Sequence, residues 1–216
     1  PLDDAAAGAP SHSIHLKPLA EDALSLPVRT GKARVIGIEP ASLVTKSLVR
    51  EVKTDDAGCF QSALNPGLTK IAVIERHKRT GKLGIGILEG YGLTGGAIAT
   101  TISHNIVVAG DNDPDMLLAV RELADMGGGI VSVHGGAIRR LPLPIAGLMT
   151  SADPQEVNAV LHDMLVAARA ELGIPEDVEP FMTLSFMALP VIPELKLTAR
   201  GLFNVNTFSF VGVEAD

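Results

Sequence analysis

Two short polar clusters in the sequence carry the residue types that proton transfer or ligand binding would need. In the first, Glu75 and His77 flank Arg76 at the end of an apolar run. A carboxylate beside an imidazole can fix its tautomer and raise its basicity, which suits Glu75 and His77 as proton-transfer or substrate-orienting groups. If the run is a strand, alternation places Glu75 and His77 on one side and Arg76 on the other. The competing reading is a strand-end salt bridge from Glu75 to Lys78 or Arg79. The second cluster is Ser103, His104 and Asn105, which leads directly into Ile106, Val107 and Val108. Hydroxyl, imidazole and amide at the mouth of a buried strand could bind a substrate, and a turn with satisfied hydrogen bonds would look the same.

A metal centre needs several histidines and carboxylates on neighbouring strand ends. The six histidines are His12, His15, His77, His104, His134 and His162, and their spacing matches no ligand pattern. His12 and His15 are three apart in a segment without periodicity, His162 falls on the polar face of an expected helix, and His134 precedes a double-glycine turn. No metal ligand is assigned in this chain. Gly84, Gly86 and Gly90 lack the G-x-G-x-x-G spacing of a dinucleotide site, no G-x-S-x-G elbow is present, and Cys59 is the one cysteine, too few for a P-C-x-x-C zinc site.

The elements that must position these clusters are legible from pattern. Runs around Val35 to Ile38, Thr69 to Glu75, Lys82 to Leu88, Ala97 to Ile102, Ile106 to Ala109, Gly129 to Val133 and Ala137 to Leu141 read as strands, and Phe208 to Val213 as a last one. Asp113-Pro114 and Asp153-Pro154 each supply an N-cap oxygen and a first-turn proline. The first helix closes at Gly127. The second has Glu156 at the capping-box position and an apolar stripe of Val157, Val160, Leu161, Met164, Leu165, Ala168 and Leu172, and stops at Gly173. Phe181 to Leu189, bounded by Pro180 and Pro190, fits a buried strand or an ordered loop. The expected fold is α/β, a mixed sheet with two main covering helices, too poor in helix for an eightfold barrel. Residues 1–27, rich in Ala, Pro and Ser, read as a connecting arm, and 28–216 as the domain.

Composition narrows the function. The net charge of -7 and the absence of Trp argue against nucleic-acid binding, which wants a basic stripe or stacking aromatics. A single cysteine, and no secretory signal or apolar stretch long enough to cross a bilayer, point to the cytoplasm and away from membranes. A first residue that is Pro1 and not Met fits a piece of something longer.

Several long runs together resemble the C-terminal region of bacterial adenine deaminases, in the amidohydrolase superfamily. They are Ile14-His-Leu-Lys-Pro-Leu19, Lys32-Ala-Arg-Val-Ile-Gly-Ile38, Thr69 to His77, Gly95-Gly-Ala-Ile-Ala99, Ser103-His-Asn-Ile106, Leu141 to Leu148 and Phe181 to Leu197. The resemblance covers nearly the whole chain from His15 onward. It implies hydrolytic deamination of adenine to hypoxanthine and ammonia in purine salvage, at a manganese or iron centre held by a preceding TIM-like barrel. It also implies that the barrel is this segment's partner and that the enzyme is a homo-oligomer. The contribution expected of the segment is a second wall of the substrate pocket, with Ser103, His104 and Asn105 as substrate-binding candidates and Glu75 as a further contact to the purine, by their polarity at predicted strand ends. Thr101 to Ile106 departs from the family pattern, being shorter by about three residues that include a His-Asp pair. Two other readings stay open: a non-catalytic oligomerisation or structural module, with the apolar Phe181 to Leu197 run as an interface, and an independent small-molecule binder.

Overall fold

The structure, a computed structural model, describes residues 13–215. Strands β1 (Lys32–Ile38) and β2 (Thr45–Glu51) form an antiparallel hairpin, followed by β3 (Leu68–Ile74), β4 (Leu83–Glu89), β5 (Gly96–Thr100) and β6 (Ile106–Gly110). Helix α1 (Asp113–Asp125) leads into β7 (Gly129–His134) and β8 (Ala137–Pro142), and α2 (Pro154–Ala170) and α3 (Pro180–Phe186) follow. Strands β9 (Leu195–Thr198), β10 (Gly201–Asn204) and β11 (Ser209–Phe210) make a separate three-stranded sheet. The large sheet has the order β2-β1-β4-β3-β6-β5-β7-β8 and is mixed, since β1 and β4 run parallel and its other neighbours antiparallel.

Both faces of this sheet are covered, which is why its central strands read as continuous apolar runs without alternation. Ile71, Val73, Ile98, Val107 and Ala109 face a core shared with α2, α3 and the small sheet. Ala72, Ile74, Ala97, Ala99, Ile106 and Val108 face α1, together with Leu24 and the partly buried Ile14, Leu16 and Leu19 of the leading segment. Residues 13–27 contain no helix or strand, yet they lie against this second core.

The fold matches the expected class, and several elements differ in detail. The N-cap of α1 is Asn112, not Asp113: the Asn112 side chain accepts from the Asp115 amide at 2.9 Å, while the Asp113 carboxylate turns to the buried Lys70. Asp153 caps α2 as expected, accepting from the Gln155 amide at 2.7 Å. Of its apolar stripe Met164, Ala168 and Leu172 are buried, Val157, Leu161 and Leu165 pack partly buried against the same core, and Val160 is 37% exposed.

The Phe181 to Leu189 run is not a strand or loop, because a third helix, α3, occupies most of it. Glu179 and Pro180 repeat the cap-and-proline device of α1 and α2, with the Glu179 carboxylate accepting from the Met182 amide. Phe181, Leu184 and Ser185 then bury one face at helical spacing. An apolar run this short carries no period that separates strand from helix, so the cap residues decide. Strands β2, β9 and β10 are additions to the expected set, and the last strand shrinks to Ser209–Phe210. The edge strand β2 escapes pattern reading because most of its side chains face solvent.

Candidate functional site

The register of the large sheet brings the two polar clusters together. Ile74 at the end of β3 pairs with Ile106 at the start of β6, so residues just after β3 must lie beside those just before β6. Glu75, Arg76 and His77 therefore meet Ser103, His104 and Asn105 at one end of the sheet.

The β5–β6 connection is a tight turn. Its His104 amide donates to the Thr101 carbonyl at 3.0 Å, and the Thr101 hydroxyl donates to the Gly147 carbonyl while accepting from the Gly129 amide at 2.8 Å. His104 takes a left-handed backbone with φ of 74°, uncommon outside glycine and commonest among Asn, Asp and His. Its imidazole is exposed and Asn105 is half-buried. The Ser103 hydroxyl is shielded from solvent and has no hydrogen-bond partner among the described residues. A buried hydroxyl left this way costs about 1–3 kcal/mol and calls for an explanation. It lines a small cleft of ≈ 160 Å³ with Ile102, His104, Met182, Ser185, Phe186 and Leu189, so α3 forms the facing wall.

The first cluster departs from simple alternation. β3 ends at Ile74, so the strand does not set apart the two sides of Glu75-Arg76-His77. Arg76 is buried, and its Nε donates to the His104 carbonyl. His77 reaches the same carbonyl, with Nε2 at 3.0 Å. A carbonyl oxygen only accepts, so Nε2 carries the proton in this contact. Burial lowers the pKa of the Arg76 guanidinium.

Glu75 makes neither of the salt bridges that its neighbours suggest. Its carboxylate accepts from the backbone amides of His77 at 2.6 Å, Lys78 at 2.8 Å and Thr80 at 3.1 Å, and from the Thr80 hydroxyl at 2.8 Å. Partial burial alone would raise its pKa. The Thr80, Lys78 and His77 amides and the Thr80 hydroxyl outweigh that and hold it at about 2. A carboxylate fixed in this way organises the 75–80 turn in its ionised form. Because its folded pKa is depressed, its contribution to stability is complete above the ordinary value of 4.5 and is lost as pH falls towards about 2. Thermal melts should therefore show Glu75→Gln less stable than the parent chain near neutrality, with the gap closing across that window. A gap independent of pH would contradict this assignment.

The remaining histidines stand apart from the cluster. His134 Nδ1 lies 2.8 Å from the Gly95 carbonyl, and His15 and His162 are exposed. His12 lies outside the described residues. Among the described residues no three His, Cys, Asp or Glu side chains converge in a way that could hold a metal ion, so these residues do not fit a metal centre. A larger cleft, ≈ 870 Å³, runs along the β1–β2 margin between Lys32 and Glu89. It contains no histidine, and its Arg50 and Glu89 pair with one another at 2.6 Å, with Lys32, Glu51 and Lys53 as its other charged groups.

Sequence reasoning missed Arg76, the Ala146–Gly147 loop and the α3 side chains. The buried arginine had one signal, its position one residue beyond four consecutive apolar residues, Ile71 to Ile74.

Comparison with known proteins places this geometry in a family. A family model described as the adenine deaminase C-terminal domain matches residues 42–209. The chain is 56% identical over 216 residues to an adenine deaminase of Nitratidesulfovibrio vulgaris strain Hildenborough, covering 98% of this chain and 37% of that protein. It is 45% identical over 217 residues to adenine deaminase 2 of Carboxydothermus hydrogenoformans, covering 99% of this chain and 37% of that one. With the adenine deaminase of Clostridium acetobutylicum it shares 43% identity over 205 residues, covering 93% of this chain and 36% of the relative. The chain thus spans little more than a third of the length of these relatives, and it belongs to the adenine deaminase C-terminal domain family.

Proposed function

We propose that this segment forms one wall of the purine pocket of an adenine deaminase, an enzyme that hydrolyses adenine to hypoxanthine and ammonia. The observation that carries the reading is the unpartnered, solvent-shielded Ser103 hydroxyl beside a cleft that also presents His104. At ≈ 160 Å³ the cleft is smaller than the roughly 300 Å³ of a complete small-molecule site, which suits a wall better than a whole pocket. Its apolar side, Ile102, Met182, Phe186 and Leu189, suits a flat heterocycle, while Ser103 and His104 in its lining, and Asn105 next to them in the turn, supply hydrogen bonds to ring nitrogens. Glu75 and His77 act at one remove, Glu75 by fixing its own turn and His77 by donating to the His104 carbonyl.

The hydrolytic groups belong to a preceding barrel, which would hold the manganese or iron and serve as this domain's partner in a cytoplasmic homo-oligomer. Residues 1–27 would be the connecting arm and 28–216 the domain. In the full-length enzyme, His104→Ala or Asn105→Ala should raise the KM for adenine about tenfold, the loss of one buried hydrogen bond, with kcat less affected. Wild-type kinetics for both variants would retire the reading.

A structural module is favoured by a different observation: Met182 is 43% and Val191 77% exposed, and such apolar groups suit a subunit contact. If the same substitutions shift oligomeric state or melting temperature and leave kinetics alone, that second reading wins. The third reading, an independent binder, requires that the isolated chain bind purines measurably.

A further inference from the structure

Arg76 is 1% exposed, yet none of the ion pairs found among the described residues includes it. A buried cation needs compensation, and here oxygens of three separate segments provide it. Nε donates to the His104 carbonyl, Nη2 to the Ala146 carbonyl at 2.9 Å, and Nη1 to the Ser13 hydroxyl at 2.6 Å, with the Ser13 carbonyl at 3.5 Å. Gly147 closes over the group: a Cβ there would come within 2.7 Å of Nη1. Only a planar fork of donors reaches three main-chain segments at once, and the compact ammonium of a lysine does not.

The carbonyl that Nε holds belongs to the one turn residue in the left-handed region, His104. Such a backbone persists only where the surroundings over-determine it. We propose that Arg76 is a positioning residue: through the His104 carbonyl it holds the Ser103–Asn105 turn in the shape that presents its polar side chains, and so it sets the KM for the purine. This rests on the reading that the turn lines the purine site. The ligand contacts stay with the turn, and Arg76 acts through it.

The test uses the full-length, metal-loaded enzyme with Arg76→Lys, His104→Ala and the double variant, read by steady-state kinetics and by amide hydrogen exchange. Arg76→Lys should speed exchange in residues 101–106 and 145–148 about tenfold, the factor for weakening one or two charge-assisted hydrogen bonds, and leave the protection of β7 and α1 unchanged. KM should rise about tenfold with kcat nearly kept, and Arg76→Lys should add little in the His104→Ala background, since both act through one turn. Unchanged exchange in the turn, exchange accelerated equally throughout the sheet, or independent kinetic effects in the double variant would overturn the proposal. Faster turn exchange with wild-type kinetics for His104→Ala would remove the pocket reading and leave Arg76 as the holder of the turn. Unchanged exchange with an impaired His104→Ala would do the reverse. If Arg76→Lys does not yield folded enzyme, Gly147→Ala displaces the guanidinium with its charge in place; since Gly147 has φ of 72° and an alanine strains its own loop, this variant is read in residues 101–106 and not in 145–148.

Discussion

Gly84→Ala should destabilise the chain by about 3 kcal/mol or more, enough to remove a large part of the stability of a typical domain. A Cβ on Gly84 would lie 2.0 Å from the Thr198 carbonyl oxygen and 2.9 Å from the Gly201 amide nitrogen, both main-chain atoms of the turn joining β9 and β10. Main chain cannot rotate aside as a side chain can, so the small sheet would have to lift away from β4. That movement would uncover Leu197 and Leu202, which are buried in the core shared with α2 and α3. The neighbouring positions set the scale. At Gly86 the nearest atom to an added Cβ is the end of the Leu202 side chain at 3.3 Å, which can yield, so Gly86→Ala should cost clearly less. At Gly212 the nearest atom is 3.7 Å away, and the substitution should be neutral within about 0.5 kcal/mol. Urea midpoints of the three variants should fall in that order. A Gly84→Ala chain as stable as the parent would mean that the two sheets are not in this contact.

The second large effect is an asymmetry at a buried ion pair. The Lys70 side chain is 3% exposed, and its Nζ lies 2.5 Å from the Asp113 carboxylate and 3.1 Å from the Leu24 carbonyl. Asp113→Ala leaves that ammonium buried with a single carbonyl partner and should destabilise by about 3 kcal/mol. Losing a carboxylate from the first turn of α1 adds about 0.3–1 kcal/mol. Lys70→Met removes the more deeply buried charge and leaves the Asp113 carboxylate, 20% exposed and favoured by the N-terminus of α1, so it should cost less, about 1–2 kcal/mol. Chemical denaturation of both variants measures the difference. Equal losses would show that the pair contributes by mutual attraction alone and that desolvation of Lys70 is unimportant.

Much of the fold was legible in the order of residue types. The β3 and β6 runs read correctly because sheets covered on both faces demand unbroken apolar strands, and α2 announced itself through Asp153-Pro154. The same grammar at Glu179-Pro180 was obscured by the apolar run behind it, which has no period of its own, so α3 emerged only with the structure. The edge strand β2 was hidden for the opposite reason, since a largely exposed strand has little hydrophobic signal to give.

At the candidate site, sequence by itself determined which residues bear chemistry: Glu75, His77, Ser103, His104 and Asn105 stand out by type beside apolar strands. Only the tertiary structure decided that they meet. The contact depends on the pairing of Ile74 with Ile106, and residues separated by two further strands, β4 and β5, carry no local mark of such a register. Alternation along a strand likewise put Arg76 opposite His77, whereas both converge on the His104 carbonyl, because β3 ends one residue before the cluster and a turn held by Glu75 follows it. Local pattern reflects each residue's own environment, while the burial of a cation among three carbonyl-bearing segments is settled only when those segments close around it.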